Sequence, residues 1–304
     1  MSLASSKTSS SSAPAGDPSA GKPEARDGSG RDALPRDVLG RAEALERRGR
    51  GSTAPGTFRP CGVIPTYDNP RTIERVAVAL REALRDAGVA DPRVFVVDDG
   101  GGEEAKAALE RVRREPDVEV VVRPRNGGKG AAVKDGLRAA YAAGYSHALQ
   151  VDADGQHALE DVGALLAAAR ETPDALVLGR PVFDASAPTH RRVLRLVSVF
   201  WTSAATVLDR GRIADPMCGF RVYPLGPAVR VADRCGDRMD FDPEIAVRLV
   251  WEGCPVRNVP TKVRYLGADE GGVSHYRAVH DNVLVSLLYA RLVMLRMLGM
   301  RDQL

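Results

Sequence analysis

Cysteine is scarce: four residues in 304, Cys61, Cys218, Cys235 and Cys254, lie far apart with no C-x-x-C pair among them. That spacing excludes a zinc knuckle and a small disulfide scaffold, and it fits a reduced, cytoplasmic compartment. An excess of one charge is also lacking. Lys and Arg number 43 against 40 Asp and Glu, a net charge of +3. No strong basic field is therefore available for a phosphate backbone, and no nucleic-acid partner is expected. Long apolar runs are missing too: crossing a bilayer takes roughly 20 apolar residues, and no uncharged segment of that kind occurs. The opening residues, Met1-Ser2-Leu3-Ala4-Ser5-Ser6-Lys7, hold no apolar core of a secretory signal, so export is not expected.

What is present is globular in texture. Hydrophobic residues at 44% and charged residues at 27% argue against a wholly disordered, collagenous or coiled-coil chain, and the length suits one or two domains. Residues 1–57, rich in Ser, Gly, Pro and Ala, read as a disordered tail. A polar helix at 37–50 has an apolar face too thin to dock. From Cys61 onward, short Val/Ile-rich runs alternate with helical periodicity, which signals βαβ units and a mainly parallel sheet. Strands are predicted at 61–65, 93–97, 118–122, 147–151 and 175–179, with helices at 71–87, 103–114, 131–143 and 159–169 between them. Beyond lie a long apolar helix at 191–208, a strand at 220–223, a helix at 243–251, an extended stretch at 256–265 and a final helix from Val279.

In an open α/β sheet, ligands bind beyond the carboxyl ends of the strands. Four polar loops fall there: Pro65-Thr66-Tyr67-Asp68-Asn69, Asp98-Asp99-Gly100-Gly101, Arg123 to Gly130, and Asp152-Ala153-Asp154-Gly155-Gln156-His157. Asp152 and Asp154, two apart as a strand ends, share a face and can reach one hard cation; their alternative is a solvated turn capping the next helix. Asp98 and Asp99 can accept hydrogen bonds from a ribose or base edge, or simply form an Asp-Gly turn. Asn126-Gly127-Gly128-Lys129-Gly130 opens a helix whose free N–H groups favour an anion. It is not a Walker A loop, since Gly130 and Ala131 supply no Ser or Thr after Gly128-Lys129, and Val133 breaks a dinucleotide fingerprint. His157 is a possible further ligand or a second-layer neighbour of the acidic pair. Cys218 and Cys254 read as core.

This combination resembles the family-2 inverting glycosyltransferases of GT-A fold over roughly residues 61–282. The resemblance is carried by Val63 to Tyr67, Val97-Asp98-Asp99-Gly100, Asn126 to Gly130, Asp152 to His157, Asp215-Pro216-Met217-Cys218-Gly219-Phe220-Arg221 and Phe241-Asp242-Pro243-Glu244-Ile245. Gly179-Arg180 and the Cys-Gly-Phe-Arg segment are similar to the polyprenyl-phosphate (dolichol-phosphate) sugar transferases. Gly272 to Arg277 with Asp281-Asn282 is similar to transferases of bacterial aryl-polyene clusters. The chain departs from many relatives at Asp68 and Asn69, where Asn then Glu is common.

The resemblance implies a mixed, mostly parallel α/β sheet flanked by helices, a catalytic domain over 58–275 and a C-terminal amphipathic helix over 276–304. It implies a UDP- or GDP-sugar donor, with Pro65, Thr66, Tyr67, Asp98 and Asp99 around the nucleoside and Gly128, Lys129 and Asp152 at the phosphates. Asp152, Asp154 and Gln156 would hold Mg²⁺ or Mn²⁺. Arg180 and Arg221 are suited to gripping a phosphate, and Asp215 is the candidate base for a hydroxyl acceptor. His275 would lie near the diphosphate. The acceptor would be a lipid or polyprenyl phosphate. The apolar segments at 193–208 and 283–300 suit either a peripheral contact with the inner face of the membrane or packing in a homo-oligomer. Competing readings are a sugar-phosphate nucleotidyltransferase and a non-catalytic membrane-surface protein of the same fold.

Overall fold

The computed structural model describes residues 57–182, 199–206, 209, 211–263 and 278–299, with side chains from 285 onward in the last segment. The tail, the 37–50 helix, residues 191–198 of the long apolar helix, and the Gly272–Arg277 motif with His275 lie outside the described residues.

Seven strands form one sheet: β1 (Pro60–Thr66), β2 (Val94–Asp98), β3 (Val118–Val122), β4 (His147–Gln150), β5 (Leu176–Val182), β6 (Arg221–Pro224) and β7 (Val256–Lys262). Their order is β3-β2-β1-β4-β6-β5-β7. All neighbours are parallel except β6, which runs antiparallel to both β4 and β5. The mixed, mostly parallel sheet expected from the sequence is thus present. β1 is central and buried along its whole length, as a near-continuous apolar run in a doubly covered sheet should be.

The helices are α1 (Ile73–Asp86), α2 (Glu103–Val112), α3 (Lys129–Ala142), α4 (Val162–Glu171), α5 (Leu225–Ala232), α6 (Phe241–Trp251) and α7 (Ala278–Met297), with a further helical segment at 199–206. Period-2 alternation sorts the strand residues between two cores. Ile64, Val96, Leu149 and Val222 pack with α1, α2 and α4 on one face. Val63, Phe95, Ala148 and Tyr223 pack with α3, α5 and α6 on the other. A smaller cluster joins Ala205 to Val247 and Trp251 of α6 and to Val285, Leu288, Tyr289, Leu292 and Leu295 of α7. The sequence analysis places no helix at 225–232, where Gly226 and Pro227 stand. Proline is tolerated in a first helical turn, and α5 places Pro227 there.

The antiparallel β6 decides where the site forms. Because Gln150 pairs with Arg221 and Leu178 with Arg221, the start of β6 and the end of β5 lie at the carboxyl edge of β1, β2 and β4. The Asp215–Phe220 connection therefore meets the strand-end loops.

Candidate active site

The acidic loop after β4 is held from two sides. Thr72 Oγ1, at the entry to α1, donates to the Ala153 carbonyl at 2.6 Å. The Gln156 backbone N–H donates to Asp154 Oδ1 at 3.0 Å, closing a tight turn. A Cβ at Gly219 would fall on the Asp152 carboxylate, so the Cys218-Gly219-Phe220 segment can pass that close only with glycine. The motif at 215–221 thereby shapes the pocket wall around Asp152. Further on, Asn258 of β7 brackets the approach to Asp215, accepting from Ala214 N at 2.9 Å and donating to the Arg212 carbonyl at 2.6 Å.

Lys129, the first residue of α3, bridges two carboxylates: its Nζ lies 2.7 Å from Asp152 Oδ1 and 2.8 Å from Asp242 Oδ2. Behind it stands a buried polar layer. Gln150 accepts from the Tyr223 hydroxyl at 2.9 Å and donates to Asp242 at 3.4 Å. Burial opposes the charge on Asp152, but Lys129 and then His157 outweigh it and hold its carboxyl below the usual range. Asp154 moves the other way, raised by burial and then by the charge of Asp152. Burial likewise opposes the Lys129 charge, and its two carboxylate partners overcome that and keep it an ammonium. His157 Nε2 lies 3.9 Å from Asp152 Oδ2, and its ring packs on Phe220 with centroids 5.1 Å apart.

Asp152 and Asp154 offer two carboxylates from one loop, and the Gly219 contact leaves Asp152 its space. That donor set fits Mg²⁺ or Mn²⁺, hard ions commonly taken by one or two carboxylates together with substrate phosphates. Among the described residues, no group of three or more His, Cys, Asp or Glu side chains is placed to hold a metal.

Several expected contacts come out differently. Arg221 is not a phosphate grip: its fully buried guanidinium donates to the carbonyls of Cys218, Pro216 and Asp242. Its planar fork is spent on backbone, which fixes the 215–221 turn. Arg180, by contrast, is exposed within β5, as the first solvent-facing residue after the strand's buried stretch Leu176–Gly179. The anion expected at the start of α3 is internal. Asp99 accepts from Gly127 N at 2.9 Å, from Gly128 N at 2.7 Å and from Arg123. The Asp237 carbonyl takes Ala131 N at 2.9 Å. Gly128, at φ 104°, packs against the 237–238 backbone, where a side chain would clash. Asp99, Gly128 and Lys129 thus serve the loop and the acidic pair, leaving no open N-terminal cradle there for a phosphate.

Asp98 is buried at the end of β2, accepts from Gly101 N at 3.0 Å, and has its carboxyl raised chiefly by burial. Pro65 and Thr66 are buried in β1, and Tyr67 is the partly exposed member of that trio. Asp215 is buried and accepts from Met217 N at 2.9 Å. The sequence reading gave no role to Asp242, Gln150 or Tyr223. The signal available was Phe241-Asp242-Pro243-Glu244, an acid in the first turn of a helix, which reads equally as capping.

The glycosyl transferase family 2 model matches residues 61–228, more than half of the chain. Undecaprenyl-phosphate mannosyltransferase of Micrococcus luteus is 32% identical over 173 residues, covering 55% of this chain and 66% of that protein. Polyprenol monophosphomannose synthase of Mycolicibacterium smegmatis is 30% identical over 187 residues, covering 59% and 68%. About a third of each relative's length lies outside the match. In three dimensions, Mycobacterium tuberculosis glucosyl-3-phosphoglycerate synthase, crystallised with Mn²⁺ and uridine-diphosphate-glucose, superposes with a TM-score of 0.56 at 16% identity, covering 86% of this chain and 84% of that one. With the sheet, the strand-end loops and the matched segment in agreement, the chain belongs to glycosyl transferase family 2.

Proposed function

We propose that this protein transfers a hexose from a nucleoside-diphosphate sugar, of the UDP or GDP type, to a polyprenyl-phosphate or related lipid acceptor, with inversion at the anomeric carbon. The observation that carries this reading is the acidic pair Asp152/Asp154 at the end of β4, beside the Asp215–Phe220 turn, in a family-2 chain with relatives named for transfer to polyprenyl phosphates. The loops of Tyr67 and Asp98 border the nucleoside, with Pro65 and Thr66 contributing backbone. Asp152 and Asp154, in the turn closed by Gln156, would hold Mg²⁺ or Mn²⁺, which when bound neutralises charge on a departing diphosphate. Exposed Arg180 is available to the acceptor's phosphate.

A phosphate monoester has a second pKa of about 6 and is largely a dianion at neutral pH, so it attacks without a base. One acceptor oxygen bonds to the anomeric carbon as the bond to the diphosphate oxygen breaks, and the electron pair leaves with the diphosphate. Asp215, which accepts from Met217 N, then acts by holding its turn; a base is needed only for a hydroxyl acceptor. A sugar-phosphate nucleotidyltransferase would need a Gly-rich, Arg-bearing loop after β1, and Pro65-Thr66-Tyr67-Asp68-Asn69 stands there instead. The acceptor's lipid chemistry places the protein at a membrane surface, and among the described residues no helix is long and apolar enough to cross one.

The test is incubation with UDP- or GDP-hexose, Mn²⁺ and a polyprenyl phosphate in detergent, followed by NMR of the product. A glycosyl phospholipid of anomeric configuration opposite to the donor is expected, and Asp152→Ala should abolish it. Retained configuration, or no transfer with any such donor, overturns the reading.

A further inference from the structure

We propose that Asp242 is a positioning residue for the acidic pair: by holding one side of the Lys129 ammonium, it fixes Asp152 and keeps that carboxylate open to a second cation. This inference rests on the reading of Asp152 as a carboxylate on the donor's side of the site. Lys129 Nζ sits between the two acids at nearly equal distances, 2.7 Å and 2.8 Å. The acids differ in access. Asp242 is 2% exposed in its side chain, whereas Asp152 is 25% exposed.

Asp242 is also pinned in place. Gln150 Nε2 donates to its Oδ1 at 3.4 Å, Arg221 Nη1 donates to its carbonyl at 2.8 Å, and Arg221 Nη2 lies 3.8 Å from its Oδ1. Its place in the first turn of α6 adds a favourable helix dipole. An acid so enclosed cannot turn outward to a ligand, but it can orient the lysine in front of it. An ammonium with one carboxylate partner forms a closed, neutral pair. Shared with Asp242, the ammonium neutralises Asp152 only in part, and the partly exposed Asp152, with Asp154 on the same loop, is where negative charge is accessible.

The experiment measures Mn²⁺ binding to the full chain in the presence of UDP, by the EPR signal of free Mn²⁺. Asp152→Ala should lose this binding; if it binds as the native protein does, the reading of the acidic pair itself fails, whatever Asp242 does. Asp242→Asn should bind Mn²⁺ at least about tenfold more weakly with near-UV circular dichroism unchanged, the scale usual for groups that orient a metal's ligands. Because Asp242 acts through Lys129, adding D242N to K129M should alter affinity by less than about twofold. Unchanged affinity in Asp242→Asn overturns the proposal, as does a further loss of about fivefold or more when D242N is added to K129M. Should Asp242→Asn fail to fold, the comparison of K129M with the charge-balanced K129M/D242N protein decides alone.

Discussion

At the scale of single residues, a side chain's job here follows from what has already claimed its hydrogen-bonding groups. Arg180 and Arg221 are the same amino acid in neighbouring motifs, yet one faces solvent and the other is enclosed by three backbone carbonyls. Arg221→Lys keeps the charge and loses the fork, leaving buried acceptors without donors, each worth about 1–3 kcal/mol. A loss of about 3 kcal/mol in urea unfolding is expected, with the donor KM of the folded protein little changed; a raised KM at full stability would instead mark Arg221 as a substrate contact. Spacing in the sequence identified Asp152 and Asp154 as a pair on one loop. It could not identify Asp242 as their partner, because that neighbour is 90 residues away and only the packing of α6 against α3 joins them. Gln150 and Tyr223 were hidden for a similar reason: they lie on adjacent antiparallel strands, and pairing direction is not written in strand periodicity.

At the scale of elements, the strands and most helices were legible, because β1 and β2 are near-continuous apolar runs and α1 carries its buried residues at helical spacing. The sequence left the closure of α3 open. Glycines before a helix announce free N–H groups, but they do not say which anion takes them. The structure supplies Asp99 from the loop that follows β2, held by Arg123, whose Nε also donates to Asp135 of α3 at 2.7 Å. Asp99→Ala would strand two backbone donors and one arginine at the head of the helix that carries Lys129. Charge-assisted bonds of this kind contribute about 1.5–3 kcal/mol each before compensation by water. We expect a loss of about 2–3 kcal/mol and faster amide hydrogen exchange confined to residues 126–131. Exchange as slow as in the native protein would mean that the Asp237 carbonyl and the 236–238 segment hold α3 by themselves.

At the scale of the whole molecule, α7 carries apolar residues on two sides, which one core cannot absorb. Val285, Leu288, Tyr289, Leu292 and Leu295 are buried against α6 and Ala205, and the Thr202 hydroxyl donates to Tyr289 at 2.6 Å. Leu287, Met294 and Met297 are exposed on the same helix and Leu298 just past its end, Arg291 lies among them, and Phe200 is exposed on the segment packed alongside. Single exposed apolar residues are ordinary, whereas three at helical spacing, a fourth just after them and a cation among them suit a lipid interface. Under the proposed function, a polyprenyl acceptor would keep its chain in the bilayer, and its phosphate would come within reach only of a protein seated on that surface. Fully burying a Leu or Met side chain contributes about 1.5–3 kcal/mol, enough for these residues to hold a peripheral protein on anionic vesicles. Leu287→Glu with Met294→Glu should abolish flotation with phosphatidylglycerol vesicles, and urea unfolding should shift by no more than about 0.5 kcal/mol per site, as exposed positions do. Flotation that survives both changes would remove α7 from the contact. A native protein that fails to float yet runs as a dimer by light scattering would assign the same stripe to a second copy of the chain.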